Sequence, residues 1–228
     1  AVRCAAEMRD DVSAGVFQGP AFAPGRFFQM SFSSSSANLL QWYRDQLPGK
    51  PSFDALIAQA LNADDEVIIE PADADGSTAR SFRRVKPAHT PGQVVRGIMR
   101  CVATVLAKHI AALCGADRPA EIHCAGGAAR SDLWLQIKAD TLQIPTVAMA
   151  CEEPTSLGAA MLAAQGAGIT ELETASERIS VRKRFEPSAS ASRNDRMRRP
   201  SDINLIPALN PNCVAASLLA MVTRPSRN

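Results

Sequence analysis

The stretch that decides the fold reads Glu121-Ile122-His123-Cys124-Ala125-Gly126-Gly127-Ala128-Ala129-Arg130-Ser131 and continues with Asp132-Leu133-Trp134. A short extended run leads into two glycines, and the pattern predicts that a helix starts at Ser131 or Asp132. Such a break leaves backbone N–H groups at an open edge, where glycines allow a flat ring to approach closely. The stretch therefore predicts a nucleotide site, and an ordinary strand-to-helix turn is the alternative.

The segment that follows repeats the alternation of strand and helix. A short strand is predicted over 145–149, and a helix follows Pro154 until two glycines close it. Strand, helix, strand and helix at this spacing imply parallel strands with helices packed on the sheet. The small residues of 157–160 are expected to let the last helix pack closely on that sheet.

The segments upstream supply a meander and three helices. Phe28, Met30 and Phe32 alternate with polar residues, which predicts a strand with one buried apolar face in a meander or hairpin. Two short helices follow, and Ser52 is expected to cap the second. The longest helix is predicted from the capping box at 90–93 to Gly115.

The C-terminal part changes in character after Pro187. Residues 188–200 are rich in Ser, Arg and Asn, so we expect this segment to be mobile. Apolar residues return further on, and a weak helix is predicted around 214–221. We therefore divide the chain into one domain over 1–187 and a disordered or loosely attached tail over 188–228.

Composition restricts the class of protein. The 228 residues are 46% apolar and 21% charged, with a net charge of +2, which is typical of a soluble globular protein without a nucleic-acid or anionic-membrane partner. The first residues lack the apolar core of a signal peptide, and no unbroken apolar run is long enough to span a membrane, so we expect a cytoplasmic protein. The six cysteines are scattered without zinc-site spacing, which indicates reduced thiols and no metal site.

Two motifs together resemble one family. The first is the 126–140 segment, which begins Gly-Gly-Ala-Ala-Arg-Ser-Asp-Leu-Trp, and the second is the 153–163 segment, Glu-Pro-Thr-Ser-Leu-Gly-Ala-Ala-Met-Leu-Ala. Their order and spacing resemble the C-terminal, adenosine-binding domain of the FGGY carbohydrate kinases. The resemblance covers about 20–187, and it implies an α/β fold of the ribonuclease-H-like, actin-like ATPase type, with a mixed sheet flanked by helices.

The resemblance also implies a site. Carried over to this chain, it places Gly126 and Gly127 against the adenosine of ATP and Ser131 near the adenine edge, with Mg²⁺ accompanying the nucleotide. Ser131 is at the same time a plain helix N-cap by its position. Ala128 stands where the family often has a third glycine.

No residue of this chain is expected to be catalytic. In the family, the sugar-binding domain with its phosphate loop and catalytic Asp precedes this one, and those motifs are missing from the sequence. The carboxylates Asp140, Glu152 and Glu153 are assigned structural or surface roles, because a general base must reach the sugar hydroxyl. We therefore expect the nucleotide-binding half of an ATP-dependent carbohydrate kinase, truncated or split, and inactive without an N-terminal half.

Several alternatives accompany this interpretation. A non-catalytic folded remnant or interaction module of the same family is the main one. A dinucleotide-binding domain is disfavoured, because no Gly-x-Gly-x-x-Gly follows the strand. The 129–134 segment is most similar to xylulose and gluconate kinases, which suggests a ketose substrate, and the missing wall of the cleft suggests self-association into a homo-oligomer.

Overall fold

The chain folds into two compact units. The computed structural model describes residues 1–10, 15–33, 35–71, 78–115, 117–177 and 179–188, together with the backbone of 209–217. One unit comprises residues 1–32 and 109–228, and the other comprises residues 33–108.

The described part of the first unit contains one sheet of seven strands. The strands are β1 (Val2–Ala5), β2 (Val16–Pro20), β3 (Phe27–Ser31), β4 (Arg118–Cys124), β5 (Thr146–Met149), β6 (Val181–Phe185) and β7 (Leu209–Ser217). Their order across the sheet is β2-β3-β1-β7-β4-β5-β6. β4 runs parallel to β5 and β7, with Ile122 opposite Thr146, and the other neighbours are antiparallel. The predicted parallel pairing of the two strands is confirmed.

The helices begin and end close to the predicted positions. They are α1 (Asn38–Gln46), α2 (Phe53–Leu61), α3 (Pro91–Cys114), α4 (Asp132–Leu142), α5 (Pro154–Gly166) and α6 (Leu172–Ser176), with 3-10 turns at Thr78–Phe82 and Gly127–Arg130. The capping box of α3 is present, since the Thr90 amide donates to Gln93 Oε1 at 2.8 Å and the Gln93 amide to Thr90 Oγ1 at 3.3 Å. By length and composition alone α3 could cross a membrane, and 56% of its most apolar 18-residue window is buried inside the protein.

The smaller unit is held together by close packing of α3 on an extended segment. Val67 and Ile69 are buried there without forming a strand. A Cβ at Gly97 would lie 2.7 Å from the carbonyl oxygen of Val67, so glycine permits this contact. Arg83 and Arg84 both pair with Glu70, so these arginines of the polar loop serve a salt bridge. The part of that loop over 72–77 lies outside the described residues.

Strand β3 buries the face opposite to the predicted one. Gln29 is 1% exposed and Ser31 is buried, whereas Phe32 is 62% exposed. Arg3 Nε donates to Gln29 Oε1 at 2.6 Å, and Ser31 Oγ lies 2.8 Å from His109 Nδ1. The prediction of a buried apolar face was wrong because hydrogen-bonded partners satisfy the polar side chains inside.

Helix α5 is present, but the expected close packing of its small residues on the sheet was wrong. Ala159 and Ala160 are exposed, and a Cβ at Gly158 would meet no atom within 4 Å. The helix packs instead against α6 through a face that contains Leu157 and Met161. Close packing on the sheet therefore does not explain why α5 has small residues on its exposed side.

Part of the predicted tail belongs to the sheet. Strand β7 lies between β1 and β4, so the weak helix expected around 214–221 was wrong over 214–217, and 218–221 lie outside the described residues. The register shifts between Pro119, which lies opposite Asn210, and Glu121, which lies opposite Val214. This irregularity accommodates Pro211, which has no N–H to donate to a regular ladder. The predicted mobile segment lies outside the described residues from 189 onward.

Candidate functional site

A cleft opens beyond the carboxyl ends of the parallel strands β4 and β5. Its volume is about 270 Å³, and its walls come from the loop after β4, the loop after β5 and the start of β6. The lining residues are Gly126, Ala129, Arg130, Met149, Ala150, Cys151, Glu152 and Arg182. In α/β sheets, ligands bind in crevices at this edge, because loops from neighbouring parallel strands meet there.

Gly126 occupies a position that only glycine adopts readily. Its φ of 85° lies in the left-handed region and its ψ is −178°. Its amide donates to the carbonyl of Cys151 at 3.2 Å, and its own carbonyl accepts from the Ala129 amide at 3.0 Å. The residue therefore turns the chain and joins the two loops that form the cleft.

Gly127 begins the 3-10 turn that follows. A Cβ at this residue would meet no atom within 4 Å, so the space beside the turn is open. The structure thus places Gly126 in the cleft wall and Gly127 next to it with open space. Their contact with an adenosine stays a prediction.

Ser131 caps helix α4. Its Oγ accepts from the Trp134 amide at 3.2 Å, and the residue is 8% exposed. The predicted N-cap is confirmed. Ser131 is not among the residues that line the cleft, and its predicted hydrogen bond near the adenine edge stays a prediction.

Arg182 is a charged residue of the cleft that sequence analysis missed. Its Nη2 donates to the carbonyl of Ala129 at 2.9 Å, and its Nη1 donates to Asp132 Oδ1 at 2.9 Å. Lys183 Nζ donates to Asp132 Oδ2 at 2.7 Å. The hydrogen bond from Lys183 lowers the pKa of Asp132 below its ordinary value. Burial acts in the opposite direction, and the hydrogen bond from Arg182 lowers the pKa further. The carboxylate is therefore an ionised anchor at the start of α4.

The three carboxylates with predicted surface or structural roles lie in three different places. Glu152 lines the cleft, and its Oε1 is 3.8 Å from Arg130 Nε in an exposed pair. Glu153 precedes α5 without capping it through its side chain. Asp140 Oδ1 accepts from the Ser188 amide at 2.8 Å and from Gln136 Nε2 at 2.9 Å, which ties the segment after β6 to α4.

A polar cluster joins β4 to the edge strand β6. Glu121 Oε1 lies 2.5 Å from His123 Nε2, and the other carboxylate oxygen pairs with Arg184. Burial raises the pKa of Glu121, but the hydrogen bonds from His123 and Arg184 outweigh it, so the net pKa lies below the ordinary value. This cluster links the side chains of β4 and β6 across β5.

The chain's own residues do not form a metal site in the described ranges. No group of three or more His, Cys, Asp or Glu side chains is placed there to hold an ion. Within those ranges the chain therefore offers no ready-made ligand cluster for a cation.

Comparison with known proteins identifies the family. Residues 5–167 match the FGGY family of carbohydrate kinases, C-terminal domain. The chain belongs to this family. The motifs that surround the cleft, from the glycine pair to the start of α5, lie within the matched range.

The sequence relatives of this FGGY chain include several glycerol kinases. That of Aromatoleum aromaticum is 31% identical over 173 residues, which cover 69% of this chain and 34% of the relative. That of Citrifermentans bemidjiense is 40% identical over 79 residues, or 35% of this chain and 16% of the relative. The chain thus spans about a third or less of the length of these two relatives.

Solved structures agree on the fold. A ligand-bound xylulose kinase from Lactobacillus acidophilus matches with a TM-score of 0.67 and 20% identity, over 84% of this chain and 41% of that protein. The glycerol kinase of Plasmodium falciparum with ADP matches with a TM-score of 0.59 and 16% identity, over 82% and 41%. The predicted actin-like ATPase fold is confirmed.

Proposed function

We propose that this chain is the nucleotide-binding, C-terminal half of a cytoplasmic, ATP-dependent carbohydrate kinase of the FGGY family. The observation that carries the proposal is the cleft beyond β4 and β5, where Gly126 has a left-handed φ of 85° and bonds to the opposite loop. A backbone wall without side chains suits the flat face of an adenine. The volume of about 270 Å³ suits part of a nucleotide, with the remainder open to solvent.

The phosphates and Mg²⁺ would be held largely by other residues. The described part of this chain offers no carboxylate cluster for the ion. Phosphoryl transfer also needs a positioned base and an aligned hydroxyl, which the family resemblance assigns to an N-terminal domain. We therefore propose catalysis only when that domain is supplied.

Glycerol is the proposed acceptor of the complete kinase. The relatives that match over most of this chain are named glycerol kinases, at 31% identity in the example above, whereas the xylulose kinase structure is 20% identical. The ketose suggested by the 129–134 segment is the alternative. The sugar-binding domain determines which acceptor is phosphorylated, so an assay of the assembled protein distinguishes glycerol from a ketose.

Calorimetric titration with MgATP tests the nucleotide site. Gly127→Val should abolish binding, because the new side chain fills the open space beside the turn. A Cβ at this position meets no protein atom within 4 Å, so the fold should not be disturbed. Gly166→Val is the matched control. A Cβ there also meets open space, but Gly166 lies at the end of α5 and does not line the cleft. Binding by the wild type and the control but not by Gly127→Val supports the proposal.

A folded chain that binds no ATP would overturn this function. The chain would then be a non-catalytic remnant or interaction module, provided that a cooperative thermal transition shows that it is folded. If ATP binds, mixing with the N-terminal half of a glycerol kinase relative should give ADP release that depends on glycerol. ADP release with xylulose but not glycerol would transfer the proposal to the ketose.

We also propose that the isolated chain self-associates. Phe17 and Phe32 stack with ring centroids 5.3 Å apart and are 52% and 62% exposed, which leaves apolar area on the surface of the larger unit. Sedimentation over a range of concentrations tests this, with Phe17→Ser and Phe32→Ser together as the variant. A wild-type monomer at all concentrations would contradict it.

A further inference from the structure

Arg182 connects three parts of the cleft through one planar group. It lies on β6, at the edge of the sheet, and it lines the cleft. Its two terminal nitrogens donate to the carbonyl of Ala129, within the 3-10 turn, and to the carboxylate of Asp132, at the first residue of α4. The guanidinium therefore spans the junction between the turn and the helix.

The fork of an arginine suits this task. Its nitrogens diverge in a rigid plane, so the positions of Ala129 O and Asp132 Oδ1 are fixed relative to each other. A lysine ammonium in the same place would keep the charge but lack the fixed fork. Lys183 holds the second oxygen of Asp132 at 2.7 Å, which restricts the carboxylate from the other side.

The turn that Arg182 holds is the turn that forms the cleft wall. Gly126 bonds to Ala129 across it, and Gly126 is also the residue that joins the opposite loop. The bond from Arg182 occupies the Ala129 carbonyl and places a cation at the wall of the cleft. The charge of the guanidinium is balanced by the Asp132 carboxylate, so the contribution of Arg182 to the cleft is the fixed position of the turn.

We propose that Arg182 is a positioning residue of the site, which holds the Gly127–Arg130 turn in the geometry that accepts an anionic nucleotide. The identity of the ligand rests on the function proposed above. The positioning role concerns the turn, so experiments with and without nucleotide both test it.

The test compares Arg182→Ala and Arg182→Lys with Arg184→Ala as the matched control. Arg184 is on the same strand and is also bonded to carboxylates, those of Glu121 and Glu186, but does not line the cleft. Arg182→Ala should weaken MgATP binding about tenfold, as for one charge-assisted hydrogen bond that shapes a site. Arg182→Lys should be nearly as weak, whereas Arg184→Ala should bind as the wild type does.

Amide hydrogen exchange on the ligand-free proteins gives the second measurement. The Ala129 amide, which bonds to Gly126 O at 3.0 Å, should exchange faster in Arg182→Ala and at the wild-type rate in Arg184→Ala. Unchanged exchange at Ala129 in Arg182→Ala overturns the positioning role whether or not ATP binds. Full retention of affinity by Arg182→Lys overturns it too, because charge alone would then suffice. Lack of ATP binding by the wild type overturns only the proposed ligand.

Discussion

The amide of Gly126 donates to the carbonyl of Cys151 at 3.2 Å, and this bond joins the loops that follow two parallel strands. The bond requires the left-handed backbone of Gly126, with φ of 85°. The width of the cleft and the conformation of one glycine are therefore linked.

Gly126→Ala should destabilise the protein by about 1–2 kcal/mol, because a Cβ is strained in the left-handed region. It should also weaken MgATP binding, since the loops would lose their fixed spacing. Urea unfolding and calorimetry measure the two effects. Gly127→Ala is the control for stability, because its φ is not positive and a Cβ there meets open space. Equal stability of the two variants would contradict the strain at Gly126.

Ser131→Ala should cost about 1 kcal/mol of stability, because the Trp134 amide loses its acceptor. Ser52→Ala removes the equivalent cap of α2, where the Ala55 amide donates to Ser52 Oγ at 3.1 Å, and should cost a similar amount. The two variants separate the roles of Ser131. If its hydroxyl also contacts the adenine edge, MgATP affinity falls in Ser131→Ala and not in Ser52→Ala. Equal affinity in both would leave Ser131 as a cap alone.

Gln29→Leu should destabilise the protein by about 1–3 kcal/mol although it adds apolar surface to the interior. The change removes the acceptor of Arg3 Nε and the donor to Gln18 Oε1, which lies 3.2 Å from Gln29 Nε2. Gln41→Leu is the exposed counterpart, since Gln41 bonds only across a helix turn to Asp45 in the contacts described, and it should change stability by less than about 0.5 kcal/mol. Urea unfolding measures the stability of both variants. An unchanged free energy of unfolding in Gln29→Leu would show that the hydrogen bonds of Gln29 do not stabilise the fold.

Glu121 should make stability depend on pH in the acid range. The pKa of Glu121 in the folded protein lies below the ordinary value of 4.5. Its contribution to the free energy of unfolding is therefore fully present above pH 4.5 and is lost as the pH falls through the folded pKa. The groups that face it are His123 and Arg184, and Arg184 also pairs with Glu186.

Urea unfolding between about pH 6 and about pH 3 checks this effect. Glu121→Gln should lose less stability over the range than the wild type, because one linked proton is removed. Glu152→Gln serves as the control, since that carboxylate is 72% exposed and should leave the pH dependence as it is. An unchanged acid slope in Glu121→Gln would show that the cluster is not linked to folding.

The elements with strong local signals were predictable from sequence. The capping box and the 3.6-residue repeat set the start and course of α3, and the glycine pair before Ser131 set the turn and the start of α4. These signals are local, so they do not depend on which partner the segment later meets. The same stretch also carried the resemblance to the FGGY family.

Long-range choices were not predictable in the same way. Phe28, Met30 and Phe32 have the pattern of a buried face, but Gln29 is buried because Arg3 and Gln18, from other strands, satisfy it. Arg182 was missed because the run Val181–Phe185 has three consecutive cations and no apolar alternation. Its role depends on where β6 lies next to β5, which no local pattern specifies.

The position of β7 has a consequence for how the protein folds. This strand comes last among the described elements in the chain and yet lies between β1 and β4, pairing Val2 with Ala216 near opposite ends of the sequence. The meander of β1 to β3 and the group of β4 to β6 can each form early, but the continuous sheet closes only when β7 arrives. Closing such a long loop is entropically costly and slows folding. The groups β2-β3-β1 and β4-β5-β6 therefore keep unpaired edges at β1 and β4 until β7 pairs with both strands.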